Sequence, residues 1–233
     1  MRVLAKNIKG FNIIELLIVI VIVGILSAVA YPNFNDWRGE REVRGASVKI
    51  KNAIQAINSQ VQRGMYGFVQ VYLENNDDEL VIVTKGMKME TLTNMVNDGA
   101  SDWNNDPTSR CDTNTTGYWD HDGSIDDMLE VVEIRLTDIT TSFQTGVAAV
   151  CFAKNSKWYS GSGNFLSFAG GEISVDSLFF ICNRNDDFPR CFVDEATGIP
   201  NRDHDHLFLV EWSRFGNITM EKWNPPTEDW ILQ

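Results

Sequence analysis

The most constraining feature of this chain is a stretch near its N-terminus, Phe11 to Ala30, that reads FNIIELLIVIVIVGILSAVA. Asn12, Glu15 and Ser27 are its polar members, and the run from Leu16 to Leu26 is uninterrupted. A helix of a soluble domain keeps a polar face, and this segment has none. Its length of about 20 residues is what a helix needs to cross a hydrocarbon layer of about 30 Å. Arg2, Lys6 and Lys9 precede it, and a basic flank holds that end on the cytoplasmic side while the remainder is exported. The same features also suit a secretory signal peptide, because Ala28-Val29-Ala30 has the small-x-small form of a cleavage site before Tyr31. Glu15 argues against that alternative. A carboxylate near the centre of a bilayer costs about 2.5 to 3.5 kcal/mol, less near the interface, and a discarded peptide has no use for one.

After this segment Pro32 removes an amide donor and clashes with the preceding turn, which predicts a kink between Ala28 and Pro32. The helix then resumes. Val43, Ala46, Ile50, Ala53, Ile57 and Val61 recur at three- and four-residue steps and predict one buried stripe. Gly64 is the expected stop, with Gly67 behind it. Beyond Gly67 the pattern turns to short β-branched and aromatic runs: Phe68 to Leu73, Leu80 to Thr84, Leu129 to Leu136, Val147 to Phe152, Leu178 to Cys182, Cys191 to Asp194, Leu207 to Trp212 and Ile218 to Trp223. Strands are expected there. Asn75 to Asp78 reads as a hairpin turn, and Lys85 to Asp127 as a long polar excursion with a short helix near Met89 to Val96. The fold class is therefore α+β: one long N-terminal helix packed on an antiparallel β-rich head.

Four cysteines, Cys111, Cys151, Cys182 and Cys191, all follow the apolar segment, and an even number in an exported region favours disulfides. Zinc is disfavoured, because no CxxC pair is present and His121, His204 and His206 lack finger spacing. Phe179 to Cys182 and Cys191 to Val193 flank a polar connection in near-mirror fashion, so Cys182 and Cys191 are expected to pair across a hairpin. Cys111 with Cys151 follows by elimination.

The nonapeptide Lys9-Gly10-Phe11-Asn12-Ile13-Ile14-Glu15-Leu16-Leu17 resembles the class III signal of type IV prepilins and type II secretion pseudopilins, whose usual form is Gly-Phe-Thr-Leu-Ile-Glu-Leu-Leu. Asn12 stands for the usual Thr and Ile13 for the usual Leu. The likeness continues through Gly24 to Phe34, Pro32 included. It implies a leader, 1–10, cut after Gly10 by a prepilin peptidase; N-methylation of the exposed Phe11; a transmembrane and filament-core helix over 11–31; its amphipathic continuation over 32–66; and a head over 67–233. It implies location in a bacterial inner membrane, single-pass with a cytoplasmic N-terminus and a periplasmic head, then in a filament at the cell surface. The partners implied are other pilins or pseudopilins, the inner membrane before assembly, and the prepilin peptidase and methyltransferase. Glu15 of an incoming subunit is expected to pair with the Phe11 amine of a docked neighbour. One helix before an all-β head, with Gly64-Met65-Tyr66-Gly67, Phe165 to Gly171 and Arg214 to Thr219 as loose echoes, is most similar to the GspH/FimT branch of minor pilins. That implies a structural role in initiating or capping a type IV pilus or secretion filament; the alternative is a specialised tip module, an adhesin or a DNA-uptake pilin.

Charge bears on that alternative. Without its three leading cations the chain carries 17 basic against 32 acidic residues, which repels phosphate backbones. The basic Gly-Arg-x-Arg element of some FimT-like pilins is replaced here by Gly216-Asn217-Ile218-Thr219. Nucleic acid is therefore disfavoured. Asp120, Asp122, Asp126 and Asp127 concentrate carboxylates near Gly123, as a calcium loop would, but Leu129 stands where an EF-hand needs glutamate and a solvated acidic loop is favoured. No cofactor is required. The run Asp203-His204-Asp205-His206 reads as an exposed turn rather than a metal or acid-base cluster, and no catalytic constellation has interpretable spacing. Trp103, Trp119 and Trp158 lie in polar contexts and, if exposed together, would make a sticky tip surface.

Overall fold

The computed structural model describes residues 12–76, 78–97, 109–111, 113, 119, 129–142, 146–154, 158–160, 178–184, 190–194, 199–200, 206–213 and 217–233. Helix α1 runs from Ile13 to Gln62, and the chain divides after Gly39 into two compact units.

In the first unit α1 begins on a cap. The Asn12 side chain accepts from the Ile14 amide at 3.3 Å, and its carbonyl accepts from Glu15 and Leu16 at 3.0 and 3.1 Å. These bonds use donors that every helix start leaves unpaired. Glu15 then sits in the first turn, where the helix dipole favours a negative charge. The expectation of a transmembrane first half is corrected here. Among the described residues no helix is long and apolar enough to cross a membrane. The single-pass inner-membrane location, with a cytoplasmic N-terminus and a periplasmic head, loses its support with it.

The second unit, from Glu40 onward, buries Val43, Ala46, Ile50, Ile54, Ile57 and Val61 of α1. Ile54 takes the position expected of Ala53, which is only half-buried. The reason is helical phase: eleven residues bring Ile54 back to within about 20° of Val43, whereas Ala53 lies about 80° away. α1 ends at Gly64, whose φ of 79° is the left-handed conformation glycine adopts without cost. The Gly64 amide donates to the Val61 carbonyl at 3.0 Å and the Met65 amide to that of Gln60 at 3.1 Å, so carbonyls left over at the helix end are used.

Two five-stranded antiparallel sheets follow. β1 (Tyr66–Asn75), β2 (Glu79–Lys88), β3 (Leu129–Thr137), β5 (Gly146–Ala153) and β6 (Trp158–Ser160) form the first, in the order β3-β2-β1-β5-β6. β4 (Ile139–Thr141), β7 (Leu178–Asn183), β8 (Phe208–Trp212), β9 (Ile218–Asn224) and β10 (Asp229–Leu232) form the second, in the order β10-β9-β8-β7-β4. The chain changes sheets between β3 and β4 through one residue, Asp138, with φ of 60°.

Period-two alternation sorts the side chains. Val69, Val71 and Leu73 of β1, paired with Phe152, Val150 and Ala148 of β5, join the α1 stripe and Phe179, Ile181, Phe208 and Val210 of the second sheet in one core. The alternate residues Phe68 and Tyr72 face a second cluster with Trp119, Cys111 and Cys151. Helix α2 (Met89–Asn97) closes on that side: a Cβ at Gly67 would lie 2.4 Å from Leu92 Cδ2 and 3.1 Å from its Cβ, so the glycine leaves room for the Leu92 side chain. The far face of the second sheet carries a third cluster around Phe180, Leu209 and Trp223.

Three sequence expectations change. β2 continues to Lys88 instead of stopping at Thr84, because Lys85, Gly86 and Met87 pair with Gln70, Val69 and Phe68. Cys191 to Asp194 is not a strand and makes one bridge, Val193 to Pro200. β4, β6 and β10 were not foreseen, the first two being only three residues long.

Candidate functional site

The sequence concentrates its candidates at the start of α1, and the structure gives that region a distinctive surface. From Leu16 to Leu26 every Leu, Ile and Val is between 49% and 63% exposed. On an amphipathic helix one side would be buried and the other polar; here half-exposed aliphatic side chains continue around the whole circumference. Ser27 does not interrupt them, because its hydroxyl donates back to the Val23 carbonyl at 2.7 Å. Glu15 is the one carboxylate on this surface. Two turns past the serine, Phe34 and Trp37 stack at 5.8 Å between ring centroids and both remain more than half exposed. This arrangement offers no chemistry to a small substrate. It offers a long apolar rod with a single anionic group near its capped end, a surface that water disfavours and another helix can cover.

Gly10 and Phe11 lie outside the described residues, as do Asp120, Asp122, Asp126 and Asp127 of the acidic loop, His204 and Trp103. Pro32 lies within α1, which is assigned as helix on both sides of it. Among the described residues no group of three or more His, Cys, Asp or Glu is placed to hold a metal. Trp119 is buried, 1% exposed, which removes it from the expected sticky surface: its ring packs on Phe68 at 5.8 Å and its indole donates to the Arg110 carbonyl at 2.8 Å.

The cysteines form two disulfides. Cys111 bonds Cys151 with Cα atoms 5.8 Å apart and ties the excursion to β5. Cys182 bonds Cys191 at 5.9 Å. The geometry of the second differs from a hairpin: Cys182 lies opposite Thr140 of β4, and the Cys191 amide donates to the Thr141 carbonyl at 2.8 Å. The returning loop therefore runs along the outer edge of β4.

Two charged residues that sequence reasoning passed over organise the head. Lys85, 2% exposed, donates to the Trp119 carbonyl at 2.8 Å and lies 5.1 Å from the centroid of the Tyr72 ring. Burial, and then the nearby Glu74 carboxylate, push the Tyr72 phenol up to about 12. Arg184, just past β7, joins the two sheets. Its guanidinium donates to Asn75 Oδ1 of β1 at 2.8 Å, to the Asn76 carbonyl and to the Ile139 carbonyl of β4 at 3.1 Å. Asn75 adds a bond from its amide to Thr140 Oγ1 at 3.1 Å. On the far face of the second sheet, burial and then the Glu221 charge raise the Glu211 carboxyl above its ordinary value.

Residues 5–31 match the family model of the prokaryotic N-terminal methylation motif. A type IV major pilin protein PilE1 of Neisseria gonorrhoeae is 55% identical over 49 residues, 21% of this chain and 30% of that protein. Fimbrial proteins of Pseudomonas aeruginosa and Moraxella nonliquefaciens are 38% and 39% identical over 56 residues, in each case 24% of this chain and 36% of the relative. The chain spans about a third of the length of the curated relatives it matches. No solved structure matches it at a significant level.

Proposed function

Starting from the homology of the first quarter of this chain to type IV pilins and fimbrial proteins, we propose that it is a structural subunit of a pilin-type filament. The observation that carries the reading is a coincidence of two findings. The apolar rod of α1, half-exposed on every side from Leu16 to Leu26, falls within the residues that match the methylation motif. Copies of that rod packed side by side cover one another and remove the surface from water.

In this reading a prepilin peptidase cuts between Gly10 and Phe11, and the new Phe11 amine is methylated. Glu15 pairs with the Phe11 amine of a neighbouring copy inside the bundle. Leaving one charge of a buried pair without its partner costs about 3 to 5 kcal/mol, so the pair sets the register between copies. The role is structural rather than enzymatic, in keeping with the filament proteins the chain matches. A minor subunit of the GspH/FimT kind, one that starts or caps a filament, is the finer reading, and what supports it is the β-rich head of two antiparallel sheets that follows the long helix. A net charge of −12 weighs against DNA as its ligand.

Intact-mass measurement of the assembled protein tests the processing step: the mature chain is expected to start at Phe11 and carry one added methyl group, and a chain starting at Tyr31 would refute it. Glu15→Ala is expected to leave cleavage intact and to lower the copies incorporated per filament, counted directly with a tag on this subunit. Equal incorporation would remove Glu15 from the docking step.

A further inference from the structure

A groove of about 390 Å³ runs along α1 from Lys49 to Gln60, past Ala53, and is walled on the other side by Val132 and Ile134 of β3. We propose that this groove seats the apolar N-terminal segment of α1 from a second copy of the chain. The proposal rests on the filament reading above and specifies which surfaces meet.

Three observations carry it. The groove is an unfilled piece of core: Val132 lies opposite Thr84, on the side of the sheet that faces α1, yet is 54% exposed. β3 is the edge of its sheet, so among the described residues no strand lies outside it, and α1 presents small alanine side chains there instead of filling the space. Length is the second observation. The eleven steps from Lys49 to Gln60 span about 17 Å, or three turns, at 1.5 Å per residue, whereas a helix with side chains is about 10 to 12 Å across and far too bulky to sink into the groove whole. One stripe of an incoming helix fits, as in other helix-in-groove contacts.

Charge is the third. In a chain with 32 acidic and 20 basic residues, the groove lining contains no carboxylate, and its one charged member is Lys49. The apolar segment carries one charge of the opposite sign, Glu15. The two surfaces are different patches of one molecule, so the contact is heterologous and can repeat from copy to copy without closing.

Site-directed cross-linking of the full chain tests this, and the chemistry is clean because the native cysteines are all disulfide-bonded. Ala53→Cys protein is mixed with protein carrying Ile18→Cys, Val21→Cys or Ile25→Cys, oxidised mildly and resolved without reductant, while filaments are scored in the same samples by electron microscopy. Gln55→Cys, about 200° around the helix from Ala53, is the control. The expected result is an intermolecular disulfide from Ala53→Cys to one stripe of the apolar segment, its loss when Gln55→Cys replaces Ala53→Cys, and its loss when Ala56→Trp fills the groove with the circular dichroism spectrum unchanged. Filaments without the Ala53 cross-link, equal capture at Gln55, or Ala53→Cys joining a second Ala53→Cys overturns the groove proposal and leaves the filament reading standing. The cross-link without filaments keeps the groove and sinks the filament reading. Neither cross-link nor filament overturns both.

Discussion

Replacing Arg184 by methionine keeps most of the apolar stem and removes every guanidinium donor with which this residue bridges the two sheets. The guanidinium serves acceptors on three residues: Asn75 Oδ1 at 2.8 Å, the Ile139 carbonyl at 3.1 Å and the Asn76 carbonyl. Asn76 is exposed, so water replaces the lost donor there at little cost. Asn75 and Ile139 are 0% and 1% exposed, and each acceptor gives up a charge-assisted bond with no room for water to take over. At about 1 to 3 kcal/mol for each of the two buried groups so deprived, the expected destabilisation is about 2 to 6 kcal/mol. That is a large part of the stability of an ordinary domain. The assay is urea unfolding followed by tryptophan fluorescence, with the midpoint falling at an unchanged slope. Arg184→Lys is expected to recover only part of the loss, because one ammonium cannot reproduce a planar fork reaching two carbonyl groups and an amide. A loss below about 1 kcal/mol for Arg184→Met, with the slope unchanged, would refute the clamp, since that is the worth of a single ordinary hydrogen bond.

Ile54→Ala, in the fully buried stripe of α1, is expected to cost about 2 to 5 kcal/mol in the same assay, whereas Ala53→Gly, about a quarter of a turn out of phase, loses only helix propensity, about 1 kcal/mol. Equal losses would mean that the stripe has been misphased. Glu211→Gln is expected to stabilise the protein at neutral pH: burial raises the Glu211 carboxyl above 4.5 in the folded state, so the wild type is penalised as pH rises through the folded value and not below the unfolded one. The gain should vanish below about pH 4, and a gain that persists there would point to some cause other than ionisation.

What could be read without coordinates was whatever depends on neighbours along the chain. The apolar run before Ala30, the three- and four-residue spacing of Val43 to Val61 and the glycine stop at Gly64 are local signals, and each maps onto a feature of α1. Alternation gave away β1, β5, β7, β8 and β9 for the same reason, because side chains two apart share a face whatever the strand pairs with. The methylation motif was equally legible, since its meaning lies in consecutive residues.

Tertiary structure alone decided the rest. Ile139-Thr140-Thr141 is too short and too polar to announce a buried strand, yet Thr140 and Thr141 are fully buried because Asn75, from the other sheet, bonds one of them and Cys191 the other. Lys85 reads as the first residue of a loop, but its burial is made tolerable by a carbonyl 34 residues away and a ring across the sheet. Arg184 stands in a polar connection in the sequence and at the junction of two sheets in the fold, 109 residues from the asparagine it holds. How far the apolar helix is covered, and by what, is likewise no property of its composition: the same aliphatic residues that face lipid in one chain face another protein in the next. Periodicity records which side of an element is apolar. Only the assembled fold supplies the partners that determine which polar groups can be buried, because their cost is cancelled by hydrogen bonds to residues remote in sequence.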